Sequence, residues 1–262
     1  MEPLALQATD WQFAWVTLQT TDWQFVWENR AILLQGFLVT VLLTLVSVLL
    51  GFLAGFPAGA IEVYGRGPLR SAVRTVGVLL RGTPIVVLMV LFFFGLPLPD
   101  PGDITFSSIT LGNTTIPEFS VGFEAFFAAM LALGLRSAAY QSQVFRGAIQ
   151  SIDEGQVAAA RSVGLSKYEA IRHVVVPQAL RRSVPGFQNE FTIVLKDTSI
   201  AFAIGLAELL TRGYDLFTQP GQSTAVLEVI LAVSLIYFVL TFTTNRALDA
   251  LSDYYAIPGG DS

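Results

Sequence analysis

The residues of this 262-residue chain that could do chemistry are charged and polar side chains set within apolar stretches. Arg136, Tyr140 and Gln143 are spaced i, i+4 and i+7, so on a helix they form one polar stripe. A guanidinium on that stripe can bind a substrate carboxylate through two hydrogen bonds, which predicts the lining of a cavity. The alternative is an internal ion pair of the guanidinium with one of three carboxylates, those of Glu124, Glu190 and Asp197.

A second group of ionisable residues lies further along the chain. Glu190 and Asp197 are seven residues apart and share a helix face, whereas Lys196 points about 100° away from Asp197. We interpret these residues as ion pairs between helices in preference to direct substrate ligands, and we keep them as candidates for the substrate path. Glu208 and Arg212, spaced i, i+4, are expected to form a solvated ion pair of little energetic value.

Several kinds of site are excluded by residue count. The chain has no cysteine and a single histidine, so thiolate zinc sites, thiol catalysis and multi-histidine metal cages are excluded. A phosphate-binding loop needs a Gly-Lys pair, but the lysines, Lys167 and Lys196, follow Ser166 and Leu195. We therefore expect no catalytic, cofactor-binding or metal-binding residue. The net charge of −5 gives no attraction to nucleic acid, and His173 is expected to make a surface contact.

The composition is that of a multi-pass membrane protein. Hydrophobic residues make up 53% of the chain and charged residues 13%, and no charged side chain occurs from 31 to 61. A run of that length exceeds the ~20 residues that cross a bilayer. Apolar stretches predict five membrane-spanning helices, at about 33–60, 75–96, 122–146, 183–207 and 223–246. In the first, Gly51, Gly55 and Gly59 would let another helix approach closely, and Pro57 is expected to kink or end the helix.

The basic residues predict the orientation in the plasma membrane. Ten of the fifteen lie between the first and second spans, taken through Arg81, or between the third and fourth. By the positive-inside rule the N-terminus is outside and the C-terminus is cytoplasmic. Residues 1–32 are then an external segment, in which Thr9–Trp15 recurs as Thr21–Trp27. This repeat fits an amphipathic helix in the outer interface and equally a tandem duplication of little cost.

The cytoplasmic loop at about 150–176 has mixed polarity, unlike the spans around it. Gln156–Val163 is rich in helix formers, Gly164 suits a helix C-terminus, and Ser166 suits the N-cap of a further helix. This pattern predicts two short helices that meet at a glycine bend. An ordinary connecting loop is the alternative.

At this loop the chain resembles the permease subunits of ATP-binding-cassette (ABC) importers, specifically the polar amino acid uptake group. The similarity extends from about Trp23 to Tyr237 and rests on motifs in the correct order: Arg81-Gly82-Thr83-Pro84, Arg146-Gly147-Ala148-Ile149 with Gly155-Gln156, Ala158-Ala159-Ala160 with Gly164 and Val174-Val175-Val176-Pro177, and Pro177-Gln178-Ala179-Leu180-Arg181 with Lys196-Asp197-Thr198-Ser199. Two positions depart from the pattern. Ala158 replaces a glutamate that the family usually has, and Gln143 replaces a residue that is often acidic.

The resemblance implies an all-α integral membrane fold: the five-transmembrane-helix core of a type I importer permease, over residues 33–250, with a cytoplasmic coupling helix and a cytoplasmic tail at 251–262. The ATPase-docking residues would be Gly155, Gln156, Ala158, Ala159, Ala160, Gly164, Leu165 and Ser166. The expected partners are cytoplasmic ATPase subunits that hold ATP and Mg, a second permease copy or similar paralogue, and an extracellular solute-binding protein. The expected cargo is a polar or charged L-amino acid.

From the residues alone, another class of protein competes with this interpretation. A self-sufficient secondary transporter or channel for a small polar solute would use intramembrane carboxylates to carry protons or sodium. Five spans without an inverted repeat speak against that alternative, and the polar cytoplasmic loop would then have no task.

Overall fold

The computed structural model describes residues 23–218 and 225–255. The first copy of the tryptophan repeat and most of the predicted cytoplasmic tail lie outside this part of the chain. The helices are α1 Trp23–Glu28, α2 Arg30–Tyr64, α3 Gly67–Gly82, α4 Ile85–Gly95, α5 Phe123–Gln150, α6 Glu154–Ser162, α7 Lys167–Ala170, α8 Val176–Asp197, α9 Leu209–Thr218 and α10 Val226–Tyr255. A π-helical turn, Ile171–Val175, joins α7 to α8, and a 3-10 segment, Thr198–Ile204, follows α8.

Within residues 23–218 and 225–255, three helices are long and apolar enough to cross a membrane, namely α2, α5 and the part of α10 over Val226–Ala250. The bent pair of α3 and α4 would add a fourth. The predicted span at 183–207 falls on α8 and the 3-10 segment, and α8 does not qualify. Its arginines at 181 and 182, together with Glu190, Lys196 and Asp197, make it too polar.

The predicted span at 75–96 falls on a bent pair of helices, because α3 and α4 meet at an angle of 106°. Thr83 has extended backbone angles, with φ −93° and ψ 129°, and Pro84 follows it. Proline has no N–H to donate to the preceding turn, and it disfavours helical geometry in the residue before it. The Arg-Gly-Thr-Pro motif therefore forms a corner between two helices.

The core of the bundle is the close packing of α2 against α5. A Cβ added to Gly51, Gly55 or Gly59 would lie 2.6–2.8 Å from the nearest atoms of α5, which confirms the predicted close approach. Helix α2 continues through Pro57 to Tyr64, so the proline does not end the span. Val39, Leu43 and other apolar residues of α2 pack into the main hydrophobic cluster of the bundle.

The predicted outer loop at 97–121 contains β structure that the sequence patterns did not indicate. Strand β1 (Asp103–Phe106) pairs antiparallel with β4 (Phe119–Gly122), and β2 (Ile109–Leu111) pairs with β3 (Thr114–Ile116). The rings of Phe106 and Phe119 stack with centroids 4.7 Å apart. Arg30 Nε donates to Thr114 Oγ1 at 2.9 Å, so this nested hairpin lies at the Arg30 end of α2.

Candidate docking loop and polar clusters

The loop between α5 and α8 folds into the two short helices that its sequence predicts. The Asp153 side chain caps α6 by accepting the Gly155 N–H, and Gly164 ends the hairpin bend with φ +97°. The Ser166 hydroxyl caps α7 by accepting the Glu169 N–H, while Glu169 accepts the Ser166 N–H in return. Gly164 is needed here because a left-handed φ strains any residue that has a Cβ. The local prediction of a glycine bend is confirmed.

Glu169 is fixed in its ionised form by this capping box. Hydrogen bonds from Ser166, through its side chain first and its backbone second, lower the pKa of the Glu169 carboxyl. A carboxyl with a lowered pKa adds to the stability of the fold at every pH above its ordinary pKa. This added stability is lost as the pH falls through the lowered pKa. The hairpin therefore keeps its cap across the neutral range.

Most of the predicted docking residues lie exposed on one protruding hairpin, which we call the docking hairpin (residues 153–170). Gly155, Gln156, Ala158, Ala159, Gly164 and Ser166 are exposed, Leu165 is half-buried, and Ala160 is buried and packs inward. Sequence reasoning missed Val163 and Tyr168, which are 78% and 69% exposed beside the bend. Large apolar side chains at the tip of a polar loop are the available signal, and they are typical of a contact surface.

The docking hairpin is anchored to the helix bundle by apolar and polar contacts. Val157 packs onto a cluster that includes Ile149, Ile152 and Val175. Gln178 Nε2 of α8 donates to Gln156 Oε1 of the hairpin at 2.6 Å, and just before the hairpin Arg182 Nη1 of α8 donates to Ser151 Oγ at the end of α5 at 2.9 Å. Since these contacts reach both α5 and α8, a force on the hairpin is passed to both helices.

The predicted polar stripe of α5 splits into two separate clusters. In the first cluster, Arg136 forms an ion pair with Asp197 of α8, and its guanidinium lies 5.2 Å from the centre of the Tyr140 ring. The structure therefore has the internal ion pair that was the alternative interpretation of Arg136. Glu190 is 4% exposed on the same helix as Asp197, and Lys196 points away and is exposed, as its spacing predicts.

The second cluster centres on Glu62 of α2, which sequence reasoning missed. Its carboxylate is 3% exposed and accepts hydrogen bonds from Gln143 Nε2 at 2.8 Å and from Ser142 Oγ at 3.3 Å. Arg146 Nη1 lies 3.4 Å from Glu62 Oε2. The available signal is that Glu62 is the first charged residue after the apolar run, which ends at 61. Gln143 therefore joins α5 to α2, about two helical turns from Arg136.

The predicted solvated pair of Glu208 and Arg212 is wrong. Glu208 is fully buried, and its carboxylate caps α9 by accepting the N–H groups of Leu210 and Thr211 at 2.9 and 2.8 Å. It also accepts the hydroxyl of Tyr237 at 2.8 Å. These donors replace the water that a surface carboxylate would have. His173 is exposed, as predicted, and its Nδ1 lies 2.9 Å from the Glu169 carbonyl oxygen.

Comparison with known proteins gives a consistent set of relatives. Residues 47–253 match the family described as binding-protein-dependent transport system inner membrane component. A probable glutamine ABC transporter permease of Bacillus subtilis is 33% identical over 84% of this chain and 92% of its own length. The glutamine transport permease of Escherichia coli K12 is 32% identical over 84% and 91%, and the nopaline transport permease of Agrobacterium fabrum is 30% identical over 88% and 90%.

Solved structures of transporters have the same fold. The structure of an amino acid ABC transporter with histidines matches with a TM-score of 0.73 and 26% identity, over 90% of this chain and all of the other. An inward-facing structure of the MetNI methionine ABC transporter matches with a TM-score of 0.59 and 20% identity, over 84% and 95% of the two chains. The likeness to the second structure shows the fold alone.

Proposed function

Because the chain belongs to the family of inner membrane components of binding-protein-dependent transport systems, it is a permease subunit of an amino acid ABC importer, and we propose that its cargo is a polar or charged L-amino acid delivered by an external solute-binding protein. The names of its relatives give glutamine, cystine and nopaline as cargo. The sequence has no Gly-Lys phosphate-binding loop, so ATP hydrolysis falls to a partner subunit.

The docking hairpin is the observation that supports a partner ATPase. It presents backbone at Gly155 and Gly164 and apolar tips at Val163 and Tyr168, and its base is anchored to both α5 and α8. We assign α6 as the coupling helix that sits in a cleft of the cytoplasmic ATPase. Closure of the ATPase on nucleotide would then favour one of two packings of the bundle.

We propose that α8 and its 3-10 extension form the remaining span of a five-helix core. Two of the charges that make α8 too polar by composition lie inside the bundle, since Asp197 pairs with Arg136 and Glu190 is buried. Charged residues within membranes are tolerated in such interior positions. The bent pair of α3 and α4 supplies one of the five spans, and the exposed apolar face of α4, at Val86, Val90 and Phe94, is assigned to the contact with a second permease copy.

The N-terminus is proposed to be outside and the C-terminus cytoplasmic. The docking hairpin packs beside Ala60 and Val63 at the Tyr64 end of α2, and the arginines of α3 follow at the same end. The acidic β hairpins lie at the other end, beside Arg30. Basic residues and the docking hairpin therefore share one side, which the positive-inside rule makes cytoplasmic.

The substrate path is proposed to pass the Arg136 cluster, lined by Arg136, Tyr140, Glu190 and Asp197, whereas Gln143 belongs to the Glu62 cluster and Lys196 points away. The ion pair of Arg136 with Asp197 keeps about a fifth of each side chain exposed. A substrate carboxylate that entered the bundle would compete with Asp197 for the guanidinium of Arg136. The pair thus supplies both a binding group and a contact that cargo can open.

The test of the assignment compares Gly164→Asp with a matched control, Gly102→Asp. Both glycines have a left-handed φ, +97° and +99°, and a Cβ at either position would meet nothing within 4 Å. The backbone strain is therefore alike, but only Gly164 lies on the docking hairpin. Tagged wild-type complex, solubilised in mild detergent, is expected to retain an ATP-hydrolysing subunit. Gly164→Asp should lower its recovery by about tenfold, since a charge buried in the contact costs at least ~1.4 kcal/mol.

The Gly102→Asp variant is expected to behave as wild type. If wild type purifies without an ATPase under stabilising conditions, the permease assignment fails. Uptake in proteoliposomes driven by a proton or sodium gradient would then support a self-sufficient secondary transporter.

A further inference from the structure

A cleft of about 530 Å³ lies between the cytoplasmic end of α2 and the docking hairpin. Its inner wall is apolar and includes the buried Ile149 and Val175. Its rim carries Ala158, Arg161 and Lys167, all of which are exposed. The rim of the cleft therefore belongs to the same docking hairpin that is assigned to the contact with the ATPase, and a partner can reach it.

We propose that this cleft receives a carboxylate side chain of the cytoplasmic ATPase, bound by Arg161 and Lys167. The inference rests on the proposed function, because it names what the docking hairpin recognises. Ala158 brings no charge to the rim of the cleft, so the charged groups of the rim are the cations Arg161 and Lys167. The permease contributes cations, and the ATPase contributes the acid.

The charges around the cleft support an anionic occupant. Glu154, Arg161 and Lys167 are the ionisable side chains of its lining apart from Tyr64, which leaves one positive charge in excess. In the part of the chain that the structure describes, neither cation has a carboxylate within 4 Å. The short Ala158 side chain leaves room beside Arg161, one turn further along α6. A carboxylate in that space would accept hydrogen bonds from both cations.

The position of the cleft favours a protein partner over a lipid headgroup. The side chains of Leu45, Leu49 and Leu53 are more than half exposed along one side of α2, as lipid-facing residues are. Tyr64, which lines the cleft, lies three residues beyond the uncharged run of α2, which ends at 61. The cleft therefore opens below the apolar belt and beside the exposed surface of α6.

Carbodiimide coupling of the purified complex tests the proposal directly. The reagent activates a carboxylate, and a lysine amine in contact attacks the activated carbon to form an amide and release a urea. The chain has two lysines, Lys167 and Lys196, so products are few and readily mapped by mass spectrometry. We expect Lys167 to couple to an aspartate or glutamate of the ATPase subunit. Lys167→Arg should keep the charge and the complex but lose this product.

Two further variants test the energetics. Arg161→Gln/Lys167→Gln should weaken ATPase binding about tenfold and reduce its dependence on salt, since two charge contacts are lost. The control, Arg70→Gln/Arg74→Gln, removes two exposed arginines of α3 outside the cleft and should leave binding unchanged. Ala158→Glu should lower the yield of the Lys167 product, because its carboxylate would occupy the cleft.

The outcomes separate the two proposals. An intact wild-type complex in which Lys167 couples to no carboxylate of the ATPase overturns the cleft assignment and leaves the permease assignment standing. Absence of any ATPase from the wild-type complex overturns the permease assignment itself. If the glutamine pair binds the ATPase normally but loses its preference for nanodiscs of phosphatidylglycerol over phosphatidylcholine, the cleft is a lipid site and the proposal is wrong.

Discussion

Single carboxylates decide how the polar residues of this bundle can be used. Asp197 forms an ion pair with the guanidinium of Arg136. Glu62 accepts a hydrogen bond from the cytoplasmic end of α5, and Glu208 caps α9. Each of these carboxylates accepts donors from a different helix or from a helix end. An unpaired carboxylate in such a position would be costly, so these contacts fix helices as well as charges.

The Arg136 ion pair gives a prediction that separates packing from transport. Arg136→Gln leaves Asp197 without its cation and should lower the free energy of unfolding by about 2 kcal/mol, given that the pair is partly exposed. Arg136→Gln/Asp197→Asn removes both charges and should recover most of that stability. Thermal unfolding in detergent measures the stability of the single and double variants.

Uptake of radiolabelled amino acid in proteoliposomes measures transport by the same double variant, Arg136→Gln/Asp197→Asn. If Arg136 binds the cargo, the double variant stays inactive although it is stable. Normal uptake by the double variant would assign the pair to structure alone and remove Arg136 from the substrate path.

The burial of Glu208 shows why some single residues escaped sequence reasoning. The i, i+4 spacing of Glu208 and Arg212 is typical of a surface ion pair. Its real partners include Tyr237, which lies 29 residues further along the chain. No local pattern encodes a contact over that separation. The bend at Gly164 and the cap at Ser166 were predictable because each follows from backbone geometry within a few residues.

At the scale of elements, the glycine stripe of α2 sets the distance between the two central helices. A Cβ at Gly55 would lie 2.8 Å from the Ala138 carbonyl oxygen, whereas one at Gly147 of α5 would meet nothing within 4 Å. Alanine is a better helix former than glycine by about 1 kcal/mol at either site. Gly147→Ala should therefore stabilise the protein.

Gly55→Ala should instead destabilise it by about 1–3 kcal/mol, because the methyl group forces α2 and α5 apart. The two midpoints of thermal unfolding are compared with wild type in the same detergent. A rise in both midpoints would show that the helices can separate without cost and that the stripe does not set their spacing.

The sequence predicted the apolar helices well and their directions poorly. Apolar length located α2, α5 and α10, because crossing a bilayer imposes a simple requirement on composition. It could not show that α4 turns by 106° at Pro84, because apolarity carries no direction. The strands from Asp103 to Gly122 were missed since each has only three or four residues. The motifs located the docking hairpin, and its two short helices and glycine bend are confirmed. The proposed acid-binding role of Arg161 and Lys167 could be inferred only from the fold, which places both at the cleft.

Across the whole molecule, α8 links the docking hairpin to the outer helices. It follows the hairpin through the π-helical turn and meets α10 through polar side chains: Thr192 Oγ1 donates to Asn245 Oδ1 at 2.6 Å, and Gln188 Nε2 donates to Asp249 Oδ1 at 2.6 Å. An open cleft of about 370 Å³ lies beside these contacts. Water can replace such hydrogen bonds at little cost, so the two helices can separate there without exposing an apolar core.

This arrangement predicts that α8 moves relative to α10 during transport. The chain has no cysteine, so Thr192→Cys/Asn245→Cys introduces a single pair without background. Oxidation should bring uptake to the level seen without ATP, while the ATPase subunit stays bound, and a reducing agent should restore uptake. Each single cysteine variant should transport normally under both conditions. Full uptake by the oxidised pair, with the disulfide verified by mass spectrometry, would contradict this prediction. It would mean that α8 and α10 move as one body and that the docking hairpin moves α8 relative to α5 instead.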